Sequence, residues 1–373
     1  MIHMHSQQNN LMQLFIELMH LSLGYREEFS HIPSDYEWNE LFILCKRQAL
    51  LGIAFNGIEH LPSYQRPPKQ LLLQWIAASE RIKYLNEKLN AKAVEISRQF
   101  YNNGFRNIIL KGQGVARYYK NKDLDLYRTP GDIDIWLDGS RESIITYVRK
   151  YLPDSSIFYH HMDFPKIDGI EIEVHFTPSW MNSYFTNKKL QKLFNNQREE
   201  LFNKDYAHTS EIPAPTLAFD RVYILIHIYR HLFHEGIGLR QLLDYYFVLR
   251  QGFTSDERES SMQILRSLKM GRFASATMWV LQEVFGLENE YLLTTPNEKE
   301  GRFLLEEIMI AGNFGHYDKR IIRGTNESNL SHGLRKVKHN FRFFSSYPSE
   351  VLWSPAFKLW HFFWRKRLSN SKS

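Results

Sequence analysis

Between residues 68 and 104, Leu71, Leu72, Trp75, Ile76, Ile82, Leu85, Leu89, Ala93 and Ile96 recur at spacings dominated by three and four, with charged side chains between them. That period predicts one long amphipathic helix. PSYQRPP breaks the pattern before it, and Asn102-Asn103-Gly104 follows with residues that tolerate a left-handed cap. The chain from residue 10, opening on LMQLFIELMHLSL, also reads as helix, so residues 1–104 are expected to form an N-terminal helical domain. From Phe105 the period changes. Residues 107–110 and 133–137 are short apolar runs, FYHHMDF is strand-like, and Gly169 opens the strict alternation Ile170-Glu171-Ile172-Glu173-Val174-His175-Phe176. With VARYYKN and SRESIITYVRKYL as helices between them, residues 105–215 read as a small α/β core on a mixed sheet. A connector with Pro213 and Pro215 leads into a second helical domain, 216–332, and residues 333–373 form a basic, aromatic tail. The expected class is α+β, a small core flanked by helical regions.

Composition changes this picture little. The chain has 373 residues, a formal net charge of +6 and one cysteine, so a disulfide framework is excluded and a reducing compartment is expected. The excess charge is too small, spread over this length, to mark a nucleic-acid binder. No apolar run reaches the roughly 18 to 20 residues of a spanning helix, and the start lacks a secretory pattern, so the cytoplasm is the expected location.

The candidate chemistry lies in the core. In Gly131-Asp132-Ile133-Asp134-Ile135, alternation aims Asp132 and Asp134 to one side and the isoleucines into the core. Paired carboxylates suit hard divalent cations such as Mg²⁺, which takes its remaining ligands from water and phosphate. Glu171, Glu173 and His175 share one face of the later strand, so a neighbouring strand can deliver a third carboxylate. An edge strand with an acidic wet face gives the same pattern. Upstream, LKGQGVARYY combines a strand, a small-residue turn and a helix start, where backbone N–H groups and Lys111 favour an anion. It is neither a Walker loop nor a dinucleotide fingerprint.

The order of these features resembles the poorly characterised bacterial nucleotidyltransferases of the DNA polymerase β superfamily. The resemblance rests on Leu110-Lys111-Gly112, Tyr118-Tyr119, Arg128, Gly131-Asp132-Ile133-Asp134 and Glu173-Val174-His175, and extends to His227, His231, Arg240 and Asp244. It implies a polymerase-β-like core in which Asp132, Asp134 and Glu173 bind Mg²⁺ as a two-metal site. It further implies a nucleoside triphosphate such as ATP as substrate and an acceptor that is a protein, a small molecule or an RNA end. Gly112 and Gln113 then occupy the turn where the superfamily usually has Gly-Ser, a departure that leaves open a catalytically weak or inactive nucleotide-binding module. Lys111 and Arg128 are candidates to neutralise phosphate, and His231 and Asp244 to complete the cleft, with His175 and Arg240 beside them.

Each of these has a plainer reading. An arginine on a loop is often solvated, and Arg240 and Asp244, one turn apart, could form an intrahelical ion pair. His227, His231 and His234 lack the glutamate of a zinc-binding HExxH and suit packing at a domain boundary. The tail between 335 and 367 interleaves Lys and Arg with Trp and Phe. Such a segment can dock its aromatic stripe on the protein's own core, lie on an anionic membrane or a partner, or bind nucleic acid.

Overall fold

A computed structural model of the chain describes residues 2–122, 124–203, 211–320 and 329–370. The N-terminal helices are α1 (Ile2–Ser22), α2 (Asp35–Arg47), α3 (Leu51–His60) and the long α4 (Lys69–Asn102). The core follows as β1 (Asn107–Ile109), the one-turn α5 (Gln113–Ala116), β2 (Ile133–Leu137), α6 (Arg141–Arg149), β3 (His161–Ile167), β4 (Ile170–His175) and α7 (Tyr184–Phe202). The remaining helices are α8 (Leu217–His234), α9 (Leu239–Leu249), α10 (Ser255–Ser267), α11 (Gly271–Phe285), α12 (Glu298–Ala311), α13 (Asn329–Phe341) and α14 (Pro348–Asn370). The expected α+β class and mixed sheet are present. VARYYKN is not one α-helix: α5 ends at Ala116 and the chain continues as 3-10 turns over Arg117–Lys122.

The sheet order is β1-β2-β4-β3, with β2 and β4 parallel and both outer pairings antiparallel. One face is apolar. Ile133, Ile135, Ile172 and Val174 pack there with Leu89, Ala93, Ile96 and Phe100 of α4 and Ile144 and Val148 of α6. Burying each such side chain stabilises the fold by roughly 1.5–3 kcal/mol. The other face carries Asp134, Trp136, Glu173 and His175, and Trp136 belongs to a second, larger core shared with α1, α2, α8, α9 and α11. α4 spans both cores, with Leu71 and Trp75 in the larger and its C-terminal half in the smaller. It also fixes the loop before β2: the Asn86 side-chain amide donates to the carbonyls of Leu126 (2.8 Å) and Arg128 (2.7 Å). Thr129 donates from its hydroxyl to the Ala49 carbonyl at 2.7 Å. The loop that delivers Asp132 is therefore held from two helical layers.

Candidate active site

The turn after β1 begins at Gly112, whose φ of 57° and ψ of −112° are open to glycine and strained for other residues. At Gly114 a Cβ would sit 2.4 Å from the Ile109 carbonyl oxygen, so the turn closes this tightly only with glycine there. The preceding Lys111 reaches across to β2, with Nζ 3.0 Å from Asp134 Oδ2 and 3.6 Å from Asp132 Oδ2. Gln113 is buried, is absent from the lining of the cleft, and its amide oxygen has no hydrogen-bond partner among the described residues.

Register brings the third carboxylate into place. Asp134 on β2 lies opposite Glu173 on β4, and in parallel pairing both side chains emerge on the same face. Asp132, Asp134 and Glu173 each offer a carboxylate oxygen, and these oxygens lie within 4.8 Å of one another. Asp134 is 1% exposed. Its Oδ1 contacts His175 Nε2 at 2.9 Å, whereas its buried Oδ2 has the Lys111 ion pair and no hydrogen bond of good geometry. Three converging carboxylate oxygens, one from the buried Asp134, fit a hard divalent cation.

Histidines flank this trio. Burial alone would push the His175 pKa down, but Asp134 and Glu173 outweigh it and raise the value to about 9. Burial works against ionisation of Glu173 too, and His175, His161 and Lys111 overcome it, lowering its pKa to about 2. His161, in antiparallel register with His175, is lowered by burial to about 4, and its Nε2 lies 3.7 Å from Glu173 Oε1. Its other ring nitrogen contacts a ring nitrogen of His160 at 2.9 Å. His161, Glu173 and His175 form a second grouping with metal-ligand spacing, sharing Glu173 with the first. Sequence reasoning passed over His160 and His161, although period two along β3 puts His161 and Asp163 on one face beside Glu173 and His175.

The structure separates Arg128 from this trio in role. Its guanidinium is 4% exposed and grips Asp244 of α9 in two hydrogen bonds, Nε to Oδ1 at 2.7 Å and Nη2 to Oδ2 at 2.8 Å. Tyr119 donates to Asp244 Oδ1 at 2.6 Å, and Tyr118 donates to Asp220 of α8 at 2.9 Å. The two tyrosines thus clasp the β1–β2 connection to α8 and α9. Arg240 donates to the Thr129 carbonyl at 2.9 Å, so Asp244 turns to Arg128 and Tyr119 instead of pairing along its own helix. Burial, together with the neighbouring Arg128, lowers the Arg240 pKa to about 10. Lys111, Gly112, Arg128, Asp132, His227, Arg240 and Asp244 all border a small cavity of about 20 Å³ beneath Gly131. A space of that size holds about one water.

The carboxylates open on a much larger cleft of about 1050 Å³. Small-molecule sites usually span roughly 300–1,000 Å³, so this one has room for a nucleotide and a second molecule. His227 and His231, with ring centroids 4.3 Å apart, line it together with Arg230, His234 and Trp180. Among the described residues, no grouping with metal-ligand spacing includes the three α8 histidines. The wall opposite the sheet comes from α14, through Ser354, Phe357, Lys358 and His361.

A small mixed sheet presenting acidic side chains from adjacent parallel strands, beside a glycine turn and a lysine, defines the nucleotidyltransferase class of site. The profile of a family described as uncharacterised nucleotidyltransferase matches residues 34–286, and the chain belongs to that family. No curated protein and no solved structure matches the chain.

Proposed function

We propose that the protein is a Mg²⁺-dependent nucleotidyltransferase that moves a nucleoside monophosphate from a nucleoside triphosphate to an acceptor and releases pyrophosphate. The observation that carries this reading is the convergence of Asp132, Asp134 and Glu173 at the floor of the large cleft, with Lys111 among them. Those three carboxylates would hold the Mg²⁺ pair, which when bound polarises the α-phosphate and neutralises charge on the departing pyrophosphate. His175 fixes the Asp134 carboxylate through Oδ1 while Oδ2 faces Lys111, the usual way a ligating side chain is oriented by its neighbours.

Lys111 holds the carboxylates together in the metal-free protein, and its ammonium is a candidate partner for a phosphate oxygen. Burial opposes its charge, yet Asp132, Asp134 and Glu173 raise its pKa, so it stays protonated. Arg128 acts as a positioning residue through Asp244, and Arg240 holds the Thr129 carbonyl next to Pro130-Gly131-Asp132. With its pKa at about 2, Glu173 is a poor general base at neutral pH and serves by charge and position. Catalysis then consists mainly of orientation and electrostatic stabilisation, as in other phosphoryl-group transfers.

Titration calorimetry with ATP, GTP, CTP and UTP, with and without Mg²⁺, tests the first part. Metal-dependent binding is expected in the wild type and lost in Asp132→Asn/Asp134→Asn; binding that survives both substitutions would sink the carboxylate assignment. Incubation of each α-labelled triphosphate with cell extract then identifies the acceptor by the label it acquires. The buried, unsatisfied Gln113 favours one other reading, a nucleotide-binding regulatory module with little chemistry. Metal-dependent binding without pyrophosphate release in the presence of extract would support that reading.

A further inference from the structure

α14 has two faces, and among the described residues only one of them is covered. Glu350, in its first turn, is buried against Arg230 at 3.0 Å and accepts from the backbone N–H of Asn182 at 2.9 Å. Farther along, Phe357, Trp360 and Trp364 surround Tyr159, with ring centroids 5.8, 5.9 and 6.4 Å away. Phe357 also stacks on Trp180, and the Arg141 guanidinium lies over Trp364. That aromatic seam accounts for how the helix docks, and it makes the helix a wall of the large cleft.

The outward face is apolar as well. Positions 352, 359, 363 and 366 are spaced seven, four and three apart, so they share one side of a helix. Leu352, Leu359, Phe362 and Phe363 are each about half or more exposed, at 61%, 62%, 48% and 56%. The patch continues onto the start of α7, where exposed Phe185 meets Trp353 with ring centroids 5.9 Å apart. An apolar helix face in water is unfavourable unless something covers it.

Charge identifies the cover. Beyond Glu350 the sequence contains no Asp or Glu, and Lys366 and Arg367 of α14 are exposed, while Lys358 lines the cleft and Arg365 lies over Phe158. Lys366 extends over the Phe362 ring, Nζ 4.6 Å from its centroid, so a cation stands at the edge of the apolar strip. Exposed Leu and Phe flanked by Lys and Arg are the composition of a helix lying in the headgroup region of an anionic bilayer. A second copy of the same face would oppose like charges. No helix of the described residues is long and apolar enough to cross a membrane, which suits a helix that lies on the surface.

We propose that the outward face of α14, centred on Leu359, Phe362 and Phe363 and edged by Lys366 and Arg367, binds an anionic lipid surface. The inner face of the same helix lines the cleft, so attachment brings the cleft close to the bilayer. This inference is independent of nucleotidyl transfer, since it concerns the opposite side of α14 from the carboxylates.

The test is co-sedimentation of the full chain with phosphatidylcholine vesicles and with vesicles containing phosphatidylserine, read together with tryptophan fluorescence and sedimentation velocity. Binding is expected to the anionic vesicles, weakened by salt, with a blue shift on binding. Leu359→Ser/Phe363→Ser should reduce partitioning on the order of tenfold or more. Lys366→Glu/Arg367→Glu should remove the preference for phosphatidylserine. These positions are exposed, and unchanged circular dichroism and triphosphate binding would verify that the variants fold. Equal sedimentation with and without vesicles would overturn the proposal, as would unaltered partitioning of both double variants. So would a dimer that dissociates in Leu359→Ser/Phe363→Ser without any vesicle binding, because the face would then be a contact between copies.

Discussion

Two groups of charges meet near Gly131, each centred on a buried aspartate, and they are arranged to opposite ends. Around Asp244, one carboxylate meets one guanidinium in a two-pronged grip, and Tyr119 adds a third hydrogen bond. Around Asp134, three carboxylates face one lysine and a histidine, and a buried Asp134 oxygen has no hydrogen bond. The first group is complete without any ligand. The second sets three carboxylates against the charges of Lys111 and His175, so one negative charge is left in excess beside the cleft. Burial and charge alone do not mark a functional site; an imbalance left open toward a cleft does.

The largest expected effect tests the open group. Asp134→Asn should lower nucleotidyl transfer on the order of 10³-fold, the scale of removing a key electrostatic stabiliser, with thermal stability little changed or raised. A loss of stability matching the loss of activity would erase the distinction between the groups. The closed group should behave in the reverse manner. Asp244→Ala leaves Arg128 buried and unpaired and should cost about 3–5 kcal/mol in denaturant unfolding. Arg128→Met/Asp244→Leu should recover much of that, since replacing both partners of a buried pair by apolar groups is often neutral. Failure of the double variant to recover stability, with triphosphate binding intact, would mean the pair positions more than it stabilises.

Lys111→Met separates the roles within the open group. It should weaken triphosphate binding about tenfold and lower the stability of the metal-free protein more than that of the Mg²⁺-loaded protein, because bound metal replaces the missing charge. The smallest effect concerns Asp220, an intermediate case: Oδ2 meets Arg117 and Tyr118 at 2.8 and 2.9 Å, while buried Oδ1 has no partner. Burial raises its pKa to about 7, with Arg117 opposing the rise. The folded state then binds more protons than the unfolded state between about pH 4 and 7, so this group's contribution to stability falls as pH rises through that window. Asp220→Asn should flatten that part of the melting-temperature profile.

Local pattern made much of the site legible. Asp132 and Asp134 were readable as a pair because period two is a property of any strand, and Glu173 and His175 for the same reason. The long helix α4 was readable from its three-four spacing, within two residues at each end. Arg128 was visible as a candidate, but its partner was not: Asp244 is 116 positions away, and nothing local distinguishes a solvated loop arginine from one gripped by a distant helix. His160 and His161, just before and at the start of β3, were hidden within a segment read only as strand-like. The basic tail was recognised by composition, yet which of its aromatic residues dock and which face outward depends on Tyr159 and Trp180, far away in sequence.

By itself, then, the sequence determined the elements, the apolar and polar sides of each strand and the types of group available for chemistry, because those follow from backbone geometry and side-chain spacing within a few residues. The tertiary structure decided that β2 and β4 lie side by side and parallel, which turns two separate acidic strands into one cluster of three carboxylates. It also decided which charges are paired off, which are left open to the cleft, and which face of the last helix is bare. Those outcomes depend on contacts between residues far apart along the chain, from 39 positions between Asp134 and Glu173 to 116 between Arg128 and Asp244, where packing and the demand for buried hydrogen bonds overrule local preference.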